Sequence, residues 1–302
     1  MHIPNHMLNN NSVPFTTGIA SAVCITGATY LAIKSKEKPL PLKCAAITSL
    51  IFALQMMNFP IQNGTSGHFL GTTLALLLLG TPFGIISIAL LLTVQCLIFA
   101  DGGLSVLGTN IFNMAIIGAI PAFVLNYIFK SYKNINFIQK SGLIFLGSWF
   151  SIILAAFACS LELHFSNTIH LSKVLPAMIG VHSIIGIFEG IITIVLYSLL
   201  FSEKVQTSKR LSIGIPLISA LIVGFILSPF ASSFPDGLEW VAEKYNFLHE
   251  QAPSFVSPFA DYTIPFIKNK ILSTGISGLI GVVITFLFVF VVGKFLFLQK
   301  KV

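Results

Sequence analysis

Charge is what this sequence has least of. Asp, Glu, Lys and Arg make up 9% of the 302 residues, against 55% hydrophobic side chains. A water-soluble fold carries far more charge, which excludes water as the main solvent of this chain. Cysteine is scarce too: Cys24, Cys44, Cys96 and Cys159 stand apart with no C-x-x-C pair, as suits small apolar packing residues. Motifs that cradle nucleotide phosphates or build hydrolytic sites, G-x-x-x-x-G-K-[ST], H-E-x-x-H and G-x-S-x-G, do not occur. No ATP is therefore expected on this chain, and it is not read as an enzyme; a metal-dependent membrane enzyme built on the outer histidines and Glu162 lacks any ligand spacing.

What is present is a succession of apolar runs. Crossing the hydrocarbon core takes roughly 20 mostly apolar residues. Nine runs bounded by charge, Pro or Gly fit or approach that length: 15–33, 41–59, 68–79, 83–100, 111–129, 142–161, 176–201, 213–230 and 271–297. The third is short for a span. The expected fold class is all-α, a polytopic membrane helical bundle of about nine transmembrane helices (seven plus two) in the cell (inner) membrane. Placing the N-terminus outside puts 13 of the 17 Lys and Arg residues on the cytoplasmic side, the side that retains positive charge. An odd number of crossings is needed for that split, which keeps the short third run in the count. The formal net charge of +7 is thus an orientation signal; membrane lipid is the expected surrounding, and nucleic acid is no partner. Residues 1–14 hold no Lys or Arg and no A-x-A-like cleavage site follows, so the terminus is expected to be retained rather than removed as a signal peptide.

A composition shift divides the chain into an expected membrane domain, 1–205, and a two-span region, 206–302, with an external loop at 231–270. That loop concentrates Asp236, Glu239, Glu243 and Asp261 among prolines. Pro235-Asp236-Gly237 reads as a turn or helix start ahead of a short amphipathic helix at 238–247. Asn63-Gly64-Thr65 fits a glycosylation sequon, or a simple turn.

Six histidines, His2, His6, His68, His164, His170 and His249, fall on the outer side in this topology, and His182 falls inside the seventh run. A free α-amine, the amide nitrogen of residue 2 and the Nδ1 of a histidine at position 2 can close fused five- and six-membered rings around one ion. One more imidazole completes a four-nitrogen plane, a geometry suited to nickel(II) or copper(II), accessible to cobalt(II), and unsuited to tetrahedral zinc. His68, in Gly64-Thr65-Ser66-Gly67-His68-Phe69-Leu70-Gly71, is the candidate fourth donor: glycines permit close backbone approach and polar residues can satisfy a re-entrant chain. On the residues alone, His68 could equally be a boundary histidine bonded to a neighbour, and His2 part of an ordinary loose terminus.

Asp101-Gly102-Gly103 and Asn110 with Asn113 form a second polar cluster at the start of the fifth run. Such groups in an apolar setting must find partners, and amides suit orienting an imidazole better than binding a nickel-like ion. His182 and Glu189 lie on the seventh run as a relay or gate, or as a buried polar pair that holds helices together; neither is assigned as a ligand. An ion-coupled secondary transporter using these two residues is the alternative function.

With Met1-His2-Ile3-Pro4, the segment 64–71, Asp101-Gly102-Gly103 with 107–114, and 182–193, the chain resembles the substrate-capture subunits of energy-coupling-factor (ECF) nickel and cobalt importers, the CbiM/NikM family. The last third resembles their small accessory subunit, through Ser233-Phe234-Pro235-Asp236-Gly237-Leu238-Glu239 and Asp261-Tyr262-Thr263-Ile264-Pro265. The resemblance implies metal ligation by Met1, His2 and His68, with Ni2+ or Co2+ as transported substrate. It further implies a transmembrane coupling (T) subunit and cytoplasmic ATPase subunits as partners. Where the family continues Asp-Gly after Ile-Pro, this chain has Asn5-His6-Met7; His6 is a possible extra donor.

Overall fold

The computed structural model describes residues 1–62, 64–132, 134–248 and 255–297. Asn63, with its sequon, and His249 lie outside the described residues. Among the described residues, seven helices are long and apolar enough to cross a membrane: Ser12–Lys34, Thr81–Phe99, Leu104–Ser131, Phe137–Phe165, Leu171–Leu200, Lys209–Phe230 and Lys270–Leu296. This is a multi-pass, all-α membrane protein.

Two of the nine expected runs are not helices of spanning length. The second, α2 (Pro41–Gln55), has 15 residues and the third, α3 (Thr72–Leu79), has 8. Helix α2 begins with Pro at its first position, where a missing N–H costs nothing. It stops short because Phe59–Pro60 (β1) leaves the helix to pair antiparallel with Ser66–Gly67 (β2). Twelve of its residues are buried with no polar face, the signature of an interior helix. Helix α1 (Ser12–Lys34) is the opposite case: Phe15, Ile19, Val23, Tyr30 and Leu31 are exposed, an apolar surface suited to lipid.

Helix α4 (Thr81–Phe99) returns to the end of the molecule that holds the chain's first residues. The fifth expected run, 111–129, is not one regular helix. It opens with α5 (Leu107–Ile111), widens into a π-helical stretch at Phe112–Ile117 and resumes as α6 (Ile120–Ser131). The Gly118 N–H reaches five residues back to the Asn113 carbonyl at 2.9 Å, and Pro121 supplies no donor to restore α-helical pairing. Helices α7 (Phe137–Phe165) and α8 (Leu171–Leu200) pack along each other. After the short α9 (Glu203–Thr207) and α10 (Lys209–Ile222), α11 (Gly237–Lys244) crosses the site end. Finally α12 (Lys270–Phe297) lies against α2, where the Ser49 hydroxyl donates to the Val282 carbonyl at 3.2 Å.

Candidate metal site

The chain's first residues are inside the protein. Met1, His2, Ile3, Met7 and Leu8 are all buried, Ile3 completely; a fully buried Ile contributes about 1.5–3 kcal/mol. The segment is clamped at its backbone. Asn110 accepts from the Ile3 N–H at 2.8 Å and returns its own amide hydrogen to the Ile3 carbonyl at 3.1 Å. Asn5 accepts from the Ser105 N–H and hydroxyl, and Thr168 donates its hydroxyl to the Met7 carbonyl at 2.9 Å. Gly102, at φ +87°, lets the loop after α4 pass close by: a Cβ there would lie 2.8 Å from the Asn110 amide nitrogen and 3.4 Å from the His2 Cβ.

Seating this segment brings Met1, His2 and His68 together. The Met1 amine donates to His68 Nε2 at 2.7 Å and to Asp236 Oδ2 at 2.6 Å. His68 Nδ1 lies 3.0 Å from the Phe69 carbonyl, which can only accept, so the proton sits on Nδ1 and Nε2 carries the lone pair. The His2 ring stacks on His68 at 5.1 Å between centroids and 17° between planes. His2 Nδ1 faces Asp101 Oδ1 at 2.9 Å, while its Nε2 is buried without a hydrogen-bond partner among the described residues.

Asp236 is the residue sequence reading left out of the site. It caps α11: its Oδ1 accepts from the Leu238 and Glu239 N–H groups, and Glu239 answers by accepting from the Asp236 N–H. Its other oxygen is thereby free for the Met1 amine. The signal was legible, since Asp-x-x-Glu before an apolar run is a helix-start pattern; that the capped end would face Met1 was not. Tyr262, from the same loop, donates its hydroxyl to Asp101 at 2.6 Å. Asp101, Asp236, Glu239 and Asp261 together line a cavity of about 350 Å³ that also reaches His2 and His68, a concentration of negative charge that draws cations.

The other expected polar residues have different partners. Asn113 donates to Glu162 at 2.6 Å and does not touch the terminal segment. Asn110 precedes the π-helical stretch and Asn113 lies within it, and the wider turn rotates the two side chains apart. Glu189 is not paired with His182. Its two oxygens accept from the N–H groups of Leu70 and Gly71 at 2.7 and 2.9 Å, holding the chain just after His68. His182 donates Nδ1–H to the Met178 carbonyl on its own helix. His6 is exposed, at φ 65°, and His170 bonds Ser172. Among the described residues, no group of three or more His, Cys, Asp or Glu side chains is gathered to hold a metal ion.

The electrostatics favour a neutral imidazole beside ionised carboxylates. Burial, then the terminal ammonium and His2, push the His68 pKa down to about 3. Burial alone would raise Asp101 and Asp236, but His2 holds the first, and the Met1 ammonium followed by His68 the second, well below the ordinary carboxylate range. Asp236 in turn raises Glu239. A carboxylate depressed in the folded state contributes its stability above its ordinary pKa of about 3.9 and loses it as pH falls below that. The metal-free terminal segment is therefore expected to stay seated at pH 7 and loosen below about pH 4. Amide exchange at Ile3 checks this: equal protection at pH 7 and pH 3 would show that the carboxylates do not hold the segment.

A terminus buried inside a multi-pass helical bundle, stacked against a histidine loop under an acidic vestibule, marks a protein of the transition-metal transport class. The family profile for CbiM, the cobalt uptake substrate-specific transmembrane region, matches residues 2–207, and that for the PDGLE domain matches residues 210–298. The chain belongs to the CbiM family of nickel and cobalt transport proteins. It is 31% identical over 293 residues to an Archaeoglobus fulgidus protein assigned by name as a fused nickel transport protein, NikMN, covering 94% of this chain and 95% of that one. It is 31% identical to the cobalt transport protein CbiM of Thermosipho melanesiensis, over 55% of this chain and 72% of the relative. A crystal structure of a truncated transition metal transporter superposes with a TM-score of 0.57 at 31% identity, over 67% of this chain and 99% of that one.

Proposed function

We propose that this chain is the substrate-binding component of an ATP-driven ECF-type importer for Ni2+ or Co2+, a carrier rather than an enzyme. The ion is taken from outside by the Met1 amine, the His2 amide nitrogen, His2 Nδ1 and His68 Nε2. The observation that supports this is the 2.7 Å separation of the Met1 amine and His68 Nε2. Metal–nitrogen bonds of about 2.0 Å put neighbouring donors of a square plane about 2.8 Å apart. Two imidazoles, His2 and His68, lie against the Met1 amine, and the amine with the His2 amide nitrogen completes a four-nitrogen set.

Loading requires His2 to change partner. Its Nδ1, now on Asp101, turns to the ion, and the ring's other N–H becomes available to a carboxylate, the usual way a ligating imidazole is oriented. Met1 gives up its ammonium proton and His2 its amide proton, so affinity falls in acid. His68 already presents a bare Nε2.

In this reading the site end faces outward, the short α2 and α3 with their flanking loops complete two crossings beside the seven long helices so that nine divide as seven plus two, and regions 1–205 and 206–302 correspond to capture and accessory units in one chain in the inner membrane. A transmembrane coupling subunit and cytoplasmic ATPases reorient the loaded protein. The ion-coupled alternative loses support because Glu189 already spends both oxygens on Leu70 and Gly71.

Calorimetric titration of nickel and cobalt into the full-length protein tests the reading, with His2→Ala and His68→Ala as comparisons. Each is expected to weaken binding by at least about a hundredfold, ~3 kcal/mol. Retained tight binding in both would move the site elsewhere. Uptake that survives ATPase inactivation but collapses with an ionophore would defeat the ATP-driven half of the proposal.

A further inference from the structure

One imidazole near the site is left unspent. His182, on α8, is 1% exposed. Its Nδ1 lies 2.8 Å from the Met178 carbonyl, so the proton is on Nδ1 and Nε2 holds a lone pair. That Nε2 is buried and has no hydrogen-bond partner among the described residues, a state that costs free energy unless something occupies it. His182, Met1 and His68 line one small cavity of about 10 Å³, walled otherwise by Leu70, Ile152 and Ile185 among others. That is room for about one water-sized atom.

His68 and His182 are prepared alike. Each donates Nδ1–H to a backbone carbonyl, Phe69 for one and Met178 for the other. This is how a protein fixes the tautomer of an imidazole that binds metal through Nε2. In His68 the lone pair is taken by the Met1 amine; in His182 it is not taken. The rest of the lining, Gly67, Leu70, Ile152, Ile185 and Gly237, carries no side-chain nitrogen or oxygen. Gly237, beside the amine-binding Asp236, closes the far side: a Cβ there would stand 3.0 Å from His182 Cε1 and 3.2 Å from its Nε2.

We propose that His182 Nε2 is an inner metal ligand that receives nickel or cobalt from the capture site through the one-atom cavity it shares with His68. The inference rests on terminal capture of the ion as set out above. The ion would give up its amine and amide donors, which take back their protons, and gain His182 as a third imidazole one step deeper, with no change in the metal's oxidation state.

The test uses the full-length protein with its native terminus in lipid nanodiscs, titrated with nickel chloride and cobalt chloride. His182→Asn keeps an amide able to donate to the Met178 carbonyl and lacks Nε2. In a His2→Ala background a weaker residual site should remain, with its own cobalt(II) visible spectrum. Adding His182→Asn should weaken that residual site at least about tenfold and abolish the spectrum. Residual binding that is indifferent to His182→Asn, or absent from His2→Ala, overturns the proposal. Tight binding surviving in His2→Ala would sink the capture reading instead, and the ratio between the His2→Ala and double variants would still decide for or against His182. Gly237→Ala serves as an independent variant: it leaves His182 in place, crowds its Nε2, and is expected to weaken the residual site in the same direction.

Discussion

A single glycine added ahead of Met1 is expected to lower nickel affinity by at least about a thousandfold, ~4 kcal/mol. The extension turns the Met1 amine into a peptide nitrogen, which binds metal only after losing its proton, and moves the free amine three bonds further along the chain. Gly-Met-His can close a planar four-nitrogen chelate of its own, but only by shedding a second amide proton and displacing His68, so the seated site with its loop imidazole is lost. The extension also has nowhere to sit, because the amine lies 2.7 Å from His68 Nε2 and 2.6 Å from Asp236 Oδ2. Asp236 loses its cation and His68 its donor in the same step, so the buried carboxylate is left uncompensated. Calorimetry on the extended and native forms reads the effect. Unchanged affinity that still depends on His68 would show that no terminal amine is in the site and would redirect attention to His6, His164 and His170.

Glu189→Ala should be the most damaging change to the binding loop that leaves every proposed ligand intact. It strips the acceptors from two N–H groups, at Leu70 and Gly71, in a part of the chain where both residues are buried. Each orphaned donor costs about 1–3 kcal/mol, so a loss of ~2–6 kcal/mol in unfolding free energy is expected. Because His68 lies only two residues before Leu70, nickel affinity is expected to fall with it, by about 10–100-fold. Glu189→Gln keeps one acceptor oxygen and should land between the two. If stability and affinity are both untouched while uptake stops, Glu189 acts as a gate or relay and the positioning role fails.

Much of this was legible in the residues, for definite physical reasons. Spans are long, apolar and bounded by charge, so α4, α7, α8, α10 and α12 follow from hydropathy alone. Helix α2 shows the limit: its composition is that of a span, yet chain direction after Met57 is set by the pairing of Phe59 with Gly67, which no periodicity announces. The π-helical stretch at Phe112–Ile117 is likewise silent in a pattern that averages over turns. At the site, Met1, His2 and His68 carried a chemical logic of ring closure that does not need a fold. Glu189 and His182 were readable as buried ionisable residues, but spacing along one helix suggested that they serve each other. Their partners come instead from the loop after His68 and from their own helix. Asp236 was visible as a helix start and invisible as a counter-charge, because the loop that carries it meets Met1 only through tertiary packing.

The bond between the Met1 amine and Asp236 also sets an order of events. The two residues are 235 positions apart, so Met1 cannot reach its final place until most of the chain exists. At roughly 5–20 residues per second, that is an interval of some ten seconds or more during which the terminus has no carboxylate to meet. Throughout it, the end of the chain is open to whatever acts on a nascent amine, and any modification fixed then would be carried into the finished protein as a lost metal donor. The completeness of the site is thus decided before the last third of the chain has arrived to guard it.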